Sequence, residues 1–321
     1  MNYRKAQAAN HKKTNIVMAI YIAIFFTIGL IGETVSVYSK MPYNEANLLT
    51  AMTNTFELIF TGQHVPLFII ITTSIALIII FATIKWGNRI MLSGAKYTLL
   101  EEKETLTHEE QQLVNIVDEL VISSRLRFKP KLYIIEEDYM NAFASGWTEE
   151  NSMVAITRGL MNKLNRSEIE AVMAHEMAHV KNADVRLTLM VGVLTNVMVY
   201  AVEYLFYKAI GRGGSDNKAV QQAKIVIIIL RFLLPLITLV LQMYISRTRE
   251  YLADAGSVEF TGNKDAMISA LQKISNSYKN NDYEVDDEEI ENKARRYAYF
   301  FDPSTIFSTH PSVEKRIEAL S

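Results

Sequence analysis

The chain has 321 residues, enough for a catalytic domain of ordinary size plus membrane segments. Its formal net charge of −2 leaves no basic footprint for nucleic acid. It has no cysteine, which excludes disulfides and thiolate metal ligands, and its abundant hydrophobic residues gather in a few long runs.

Residues 1–15 are polar and basic, with Arg4, Lys5, Lys12 and Lys13. Ile16 to Ile31 is then an apolar run of about spanning length. A signal peptide also opens this way, but no small-residue cleavage site follows and a second run comes soon after. The segment therefore reads as an uncleaved anchor. Residues 32–65 read as a loop poor in positive charge, and Leu67 to Ile84 as a second span, followed by Lys85, Arg89 and Lys96. Positive charges thus flank the outer ends of the hairpin, which places the N-terminus and everything after Lys85 in the cytoplasm. The expected division is a membrane hairpin over 1–86, with spans at about 16–32 and 67–85, and a second domain over 87–321.

The second domain begins in soluble character. Thr107-x-x-Glu110 is a capping box for an amphipathic helix bearing Leu113, Ile116, Val117, Leu120 and Val121. Lys131 to Ile135, Asn141 to Gly146 and Ser152 to Thr157 read as strands. Ser167-x-x-Glu170 is expected to start the next helix, whose apolar stripe is Ile169, Val172, Met173 and Val180. That helix carries Ala174-His175-Glu176-Met177-Ala178-His179. Positions four apart share a helix face, so both imidazoles reach one ion, for which tetrahedral Zn²⁺ is the usual occupant. Glu176, offset by about 100° of rotation, lies where it can take a proton from a water at the metal. The alternative is an exposed polar helix face.

Leu187 to Tyr207 and Ile225 to Ile245 are a third and a fourth apolar run, joined by the flexible turn Gly211 to Ser215. Ser246-Arg247-Thr248-Arg249-Glu250-Tyr251-Leu252-Ala253-Asp254 follows. Glu250 and Asp254 are four apart, so Glu250 can complete the metal site while Asp254 accepts a bond from a ligand histidine. An ordinary charged helix is the alternative reading of this stretch alone. If all three ligands bind one ion, the ends of the 187–245 hairpin lie on one side, and it crosses the bilayer twice or not at all. Two crossings are favoured, although Lys208, Arg212, Lys218 and Lys224 then oppose the positive-inside rule. The alternative is a hairpin lying in the interface. Glu203 and Arg231 are equidistant from the turn and expected to form an ion pair, unless each snorkels to the interface. From Arg247 to about Ser275 the chain reads as helical, and residues 276–296 as an acidic polar insertion.

Taken with the ending Phe307-Ser308-Thr309-His310-Pro311, these two motifs resemble the HtpX family of membrane-embedded zinc metalloproteases, gluzincins related to the Ste24 CAAX-processing proteases. The resemblance runs from about Trp86 to the C-terminus, plus the preceding hairpin. It implies a mainly α fold with a small β-sheet (α+β): four transmembrane or membrane-associated helices and a cytoplasm-facing protease domain in a bacterial-type inner membrane. It implies one Zn²⁺ per chain on His175, His179 and Glu250, with Glu176 catalytic. His310 would stabilise the oxyanion, and Arg316, six residues on, would pair with Asp254. Asn141, Ala142, Phe143 and Ala144 would form an edge strand to which a substrate peptide adds by backbone bonds. For Asn141 and His310 the alternatives are a turn asparagine and a surface turn histidine. The implied partners are the bilayer and unfolded or membrane-protein substrates, in protein quality control.

Two other functions compete. A site-2-type intramembrane protease would place the histidines within a span, whereas Arg166, Glu168, Glu170, Lys181, Asp184 and Arg186 crowd this helix. A non-catalytic scaffold with structural zinc would need a fourth protein ligand.

Overall fold

The computed structural model describes residues 3–41, 45–211, 217–280, 299–300 and 311–321. Its elements are α1 Tyr3–Tyr38, α2 Leu48–Phe60, α3 Leu67–Leu92, β1 Tyr97–Leu99, α4 His108–Ser124, β2 Lys131–Ile135, β3 Ala142–Ser145 and β4 Met153–Thr157. They continue with α5 Arg158–Lys163, α6 Arg166–Asn182, α7 Val185–Gly211, α8 Lys218–Thr261, α9 Lys264–Lys279 and α10 Val313–Leu320. The chain divides into two compact units, one of Met1–Thr14, Thr83–Gly192 and Leu241–Ser321, the other of Asn15–Ala82 and Val193–Val240.

The second unit is all helical. α1 and α3 approach so closely at Gly29 that a Cβ there would stand 2.3 Å from Thr72 Oγ1 and 2.8 Å from the Ile69 Cα, so only glycine fits. The buried Glu33 accepts from His64 Nε2 and from the Phe68 amide, both at 2.7 Å, and so holds the start of α3. α2 lies within the stretch that reads as a loop. It is too short to span and is started by Asn47, whose side chain accepts from the Thr50 amide. Among the described residues two helices are long and apolar enough to cross a bilayer, Gln7–Tyr38 and Leu67–Leu92. α7 and α8 carry the third and fourth apolar runs as helix. The expected ion pair is present: Arg231 Nη2 lies 3.9 Å from Glu203 Oε1, with both side chains about a third exposed.

The first unit builds the soluble core. Its four-stranded sheet has the order β1-β2-β4-β3, with β2 and β4 parallel and the other pairs antiparallel. β1 is a short edge strand that sequence periodicity does not announce. Leu113, Ile116 and Val117 of α4, Ile134 and Ile156 of the sheet, Val172 and Met177 of α6, and Met267 and Leu271 of α9 meet in one core. The N-terminal turns of α1 belong here: Gln7 Nε2 donates to the Lys181 carbonyl and Asn10 Nδ2 to the Asn182 carbonyl, at 2.6 and 2.9 Å. The capping box at Thr107 and Glu110 forms. That of α6 forms two residues earlier than the Ser167 pattern suggests, between Asn165 and Glu168. Asn165 wins because Leu164 before it is extended and buried, which fixes the entry of the chain. α8 ends before Gly262, whose φ of +66° is the left-handed stop that a side chain resists, and α9 starts afresh.

Glu168 does more than cap. Buried, it also accepts from Ser269 Oγ at 2.6 Å and Lys273 Nζ at 2.8 Å, tying α6 to α9. Burial alone would raise its pKa, but the bonds from Lys273, Ser269 and Asn165 outweigh it and hold the carboxyl below its ordinary 4.5. A depressed folded-state pKa contributes stability above the ordinary value that is lost as pH falls through the folded one. Glu168→Gln is therefore expected to lower stability by about 1–3 kcal/mol at pH 7. In thermal melts of the detergent-solubilised protein, the deficit should shrink as pH falls below about 4.5.

Candidate active site

α6 delivers the two histidines into the core rather than to the surface. Ala171 to Ala178 are all buried, His175 and Glu176 among them, so this helix turns no polar face to solvent at its centre. Glu250, in α8, is buried beside them. His175 Nε2 lies 3.1 Å from His179 Nε2 and 3.5 Å from Glu250 Oε2, and His179 Nε2 lies 3.6 Å from Glu250 Oε1. The edges of a tetrahedron with metal–ligand bonds of about 2.1 Å are about 3.4 Å long. The two Nε2 atoms and the Glu250 carboxylate, which faces each of them with a different oxygen, are therefore spaced for a zinc-sized site, and the residues fit the ion.

The other nitrogen of each ring explains the orientation. His175 Nδ1 is 2.9 Å from Asp254 Oδ1, and His179 Nδ1 is 3.1 Å from Asp184 Oδ1. A carboxylate at Nδ1 keeps the proton there and leaves the Nε2 lone pair facing the site. Each carboxylate is held in turn by an arginine. Arg316 grips Asp254 in a fork, Nε to Oδ2 at 2.9 Å and Nη2 to Oδ1 at 2.6 Å, and donates from Nη1 to the Phe300 carbonyl at 3.1 Å. Arg249 Nε lies 3.1 Å from Asp184 Oδ2. Two parallel chains result: His175–Asp254–Arg316 and His179–Asp184–Arg249.

Burial would raise both aspartates, yet Arg316 with His175, and Arg249 with His179, hold them below the usual carboxylate range. Burial likewise disfavours the His175 cation, but the bonds to Asp254 and Glu250 prevail and push this ring up to about 9 in the metal-free protein. Burial would lower the Arg316 pKa, but Asp254, then Glu250 and then the buried Glu176 outweigh it and hold the arginine above its ordinary range.

Asp184 and Arg249 go unassigned when the sequence is read for motifs. The signal was there: Asp184 comes five residues after His179, and Arg249 adjoins Glu250. What brings Asp184 back is the left-handed Ala183, with φ of 54°, which ends α6 and reverses the chain. Sequence spacing alone does not reveal that turn.

The proposed substrate strand is partly occupied by the chain itself. β3 is the sheet edge, but the Phe300 amide donates to the Ala142 carbonyl at 2.8 Å and Tyr299 bridges Phe143 in antiparallel register. The Phe300 ring stands edge-on to His175, centroids 4.9 Å apart, and so walls the metal ligands. Asn141 is buried at the strand's start, its Oδ1 accepting from the Ala142 amide at 3.0 Å and its own amide donating to Thr157 Oγ1 at 2.9 Å. Its acceptor thus serves the local backbone. By strand alternation Ala144 is the next residue whose backbone faces outward. His310 and the 281–296 part of the acidic segment lie outside the described residues.

If Asp184 orients His179, Asp184→Asn should lower zinc affinity about 10–100-fold while the protein stays folded. Competition with a chromophoric chelator measures this, and circular dichroism checks the fold.

Residues 107–321 match Peptidase family M48. A "Protease HtpX homolog" of Helicobacter pylori (strain Shi470) is 42% identical over 320 residues, covering 100% of this chain and 98% of that one. A "Protease HtpX homolog" of Limosilactobacillus reuteri (strain DSM 20016) is 39% identical over 219 residues, 65% of this chain and 72% of that one. The crystal structure of S. mikatae Ste24p aligns with 96% of this chain and 65% of its own, at 17% identity and a TM-score of 0.46. A family match over residues 107–321 and end-to-end identity of 42% with an HtpX homologue establish that the chain belongs to peptidase family M48 and is a membrane metalloprotease of the HtpX type.

Proposed function

We propose that the chain is a zinc endopeptidase whose ion is held by His175, His179 and Glu250. The observation that carries this reading is the convergence of the two Nε2 atoms, 3.1 Å apart, on the Glu250 carboxylate at 3.5 and 3.6 Å, with both Nδ1 positions already committed to carboxylates. When bound, zinc supplies Lewis acidity, which makes a water nucleophilic near neutral pH and favours negative charge on a carbonyl oxygen. Glu176 takes the proton of the attacking water and passes it to the leaving amine. Asp254 and Asp184 keep the imidazoles facing the ion, and Arg316 and Arg249 keep those aspartates ionised in a buried place. His310, by its His-Pro motif, donates to the oxyanion.

The peptide substrate adds along β3, using outward backbone groups such as those of Ala144. Tyr299 and Phe300 must yield, or bound the substrate on one side, for a strand to lie across Ala142 and Phe143. Four helices crossing the membrane, with the catalytic unit on the cytoplasmic side of a bacterial-type inner membrane, account for the run lengths and the charge flanks of the first hairpin. Unfolded or damaged membrane proteins in quality control are the substrates such a placement would serve. A structural-zinc scaffold is disfavoured because the ligand cluster among the described residues has three members, not four.

Purified wild type in detergent should cleave an unfolded model substrate, lose activity on chelation and regain it with zinc. Glu176→Gln should bind one zinc per chain with kcat lowered about 10²–10⁴-fold or more. Equal cleavage by both proteins would remove Glu176 from the chemistry.

A further inference from the structure

A cavity of about 210 Å³ lies within the catalytic unit, away from the histidine cluster, and the mechanism does not use it. Lys85, Arg89 and Lys131 line it, with the rings of Trp86, Tyr133 and Trp147, and its lining contains no carboxylate. Arg89 and Lys131, both exposed, have no ion pair among the described residues; the nearest acid is Glu101, which is outside the lining and accepts from the Leu132 amide at 3.0 Å. Two further contacts extend the pattern. Lys85 Nζ sits 5.1 Å from the Trp86 ring centroid, and the Arg186 guanidinium 5.3 Å from that of Trp147. The site is built rather than incidental. α3 breaks helical geometry at Trp86 (φ −121°, ψ 16°), and its last turn is fastened where Asn88 Nδ2 donates to the Asn151 carbonyl at 2.7 Å.

Three cations around a small space call for a compact anion with several acceptor oxygens, and a phosphate ester has that chemistry. The volume lies below the roughly 300 Å³ at which drug-sized ligand sites begin, which suits a headgroup better than a nucleotide or peptide. The place of the cavity in the chain favours a lipid source for that phosphate. Cavity residues Thr83 to Arg89 directly follow the apolar run of α3, on which Ile78 and Phe81 are 64% and 60% exposed. Tryptophan, lysine and arginine at the end of an apolar span are the side chains that meet lipid headgroups. We propose that this cavity binds the phosphate of an anionic phospholipid. The inference rests on the reading of α3 as a membrane span.

The chain's two tryptophans both line the cavity, so intrinsic fluorescence reports on it. Full-length protein in dodecyl maltoside micelles is titrated with phosphatidylglycerol carrying brominated acyl chains, then with brominated phosphatidylcholine, then with inorganic phosphate. The expected result is saturable quenching by the anionic lipid, weakened by salt, at mole fractions where the zwitterionic lipid quenches little. Each cation near a headgroup contributes about fivefold, so Arg89→Gln with Lys131→Gln should weaken the response roughly 30-fold. Arg89→Lys with Lys131→Arg should retain it. Equal quenching by both lipids, or an unchanged response in the double glutamine variant, overturns the proposal. Inorganic phosphate competing at the same concentration as the lipid would give the site to a soluble anion and also overturn it. Proteolysis read on the same samples separates the two claims. Cleavage without selective quenching sinks the lipid site alone, and selective quenching without cleavage sinks the peptidase mechanism alone. Recovery of active protein in buffer without detergent would remove the anchoring premise itself.

Discussion

Two histidine–aspartate–arginine chains hold this structure's chemistry in place. An imidazole presents either nitrogen and rotates freely about its side-chain bonds, so two rings on one helix face do not by themselves converge on a point. Here Asp254 accepts from the Nδ1–H of His175 and Asp184 from that of His179, which leaves both Nε2 atoms aimed at Glu250. The aspartates are buried, and an unpaired buried carboxylate would take up a proton and lose its grip on the ring. Arg316 and Arg249 prevent that. Such buried pairs add little net stability, because desolvation consumes most of the attraction, but they fix geometry.

The rest of the catalytic unit makes that arrangement possible. The two buried aspartates are tolerated in the interior because each is paired with an arginine, while α4, the sheet and α9 enclose α6 in apolar contact. The ligand elements are also far apart in sequence. α6 brings the histidines and the turn after it Asp184, α8 brings Glu250, Arg249 and Asp254, and α10 brings Arg316. A centre assembled from three helices closes only when all of them dock. Binding of an ion at the proposed site would therefore be coupled to the folding of this unit.

The sequence makes the ligands legible because helical spacing is a local property. His175 and His179, like Glu250 and Asp254, are four apart, and one turn of helix carries each pair to a common face. The Arg316–Asp254 contact, expected from family resemblance alone, spans 62 positions and forms as a bidentate fork. Other features depend on tertiary structure. Asp184 reaches His179 through one left-handed residue, and an alanine gives no hint of that conformation. β1 is three residues long, below the length at which alternation can be seen. α2 lay hidden in a span read as a loop, and Tyr299 and Phe300 take up an edge that the strand pattern leaves open. The capping box of α6 shows the converse: two overlapping patterns compete, and packing of Leu164 selects the earlier.

The most direct measurement is X-ray absorption at the zinc K-edge on the purified, zinc-loaded protein. The expected shell has two imidazole nitrogens and one carboxylate oxygen at about 2.0–2.2 Å, with a remaining position that exchanges with solvent. In His179→Ala one imidazole should vanish from that shell. A closed shell of four protein ligands, or a spectrum unchanged when His179 is removed, would contradict the assignment of a catalytic metal to these three side chains.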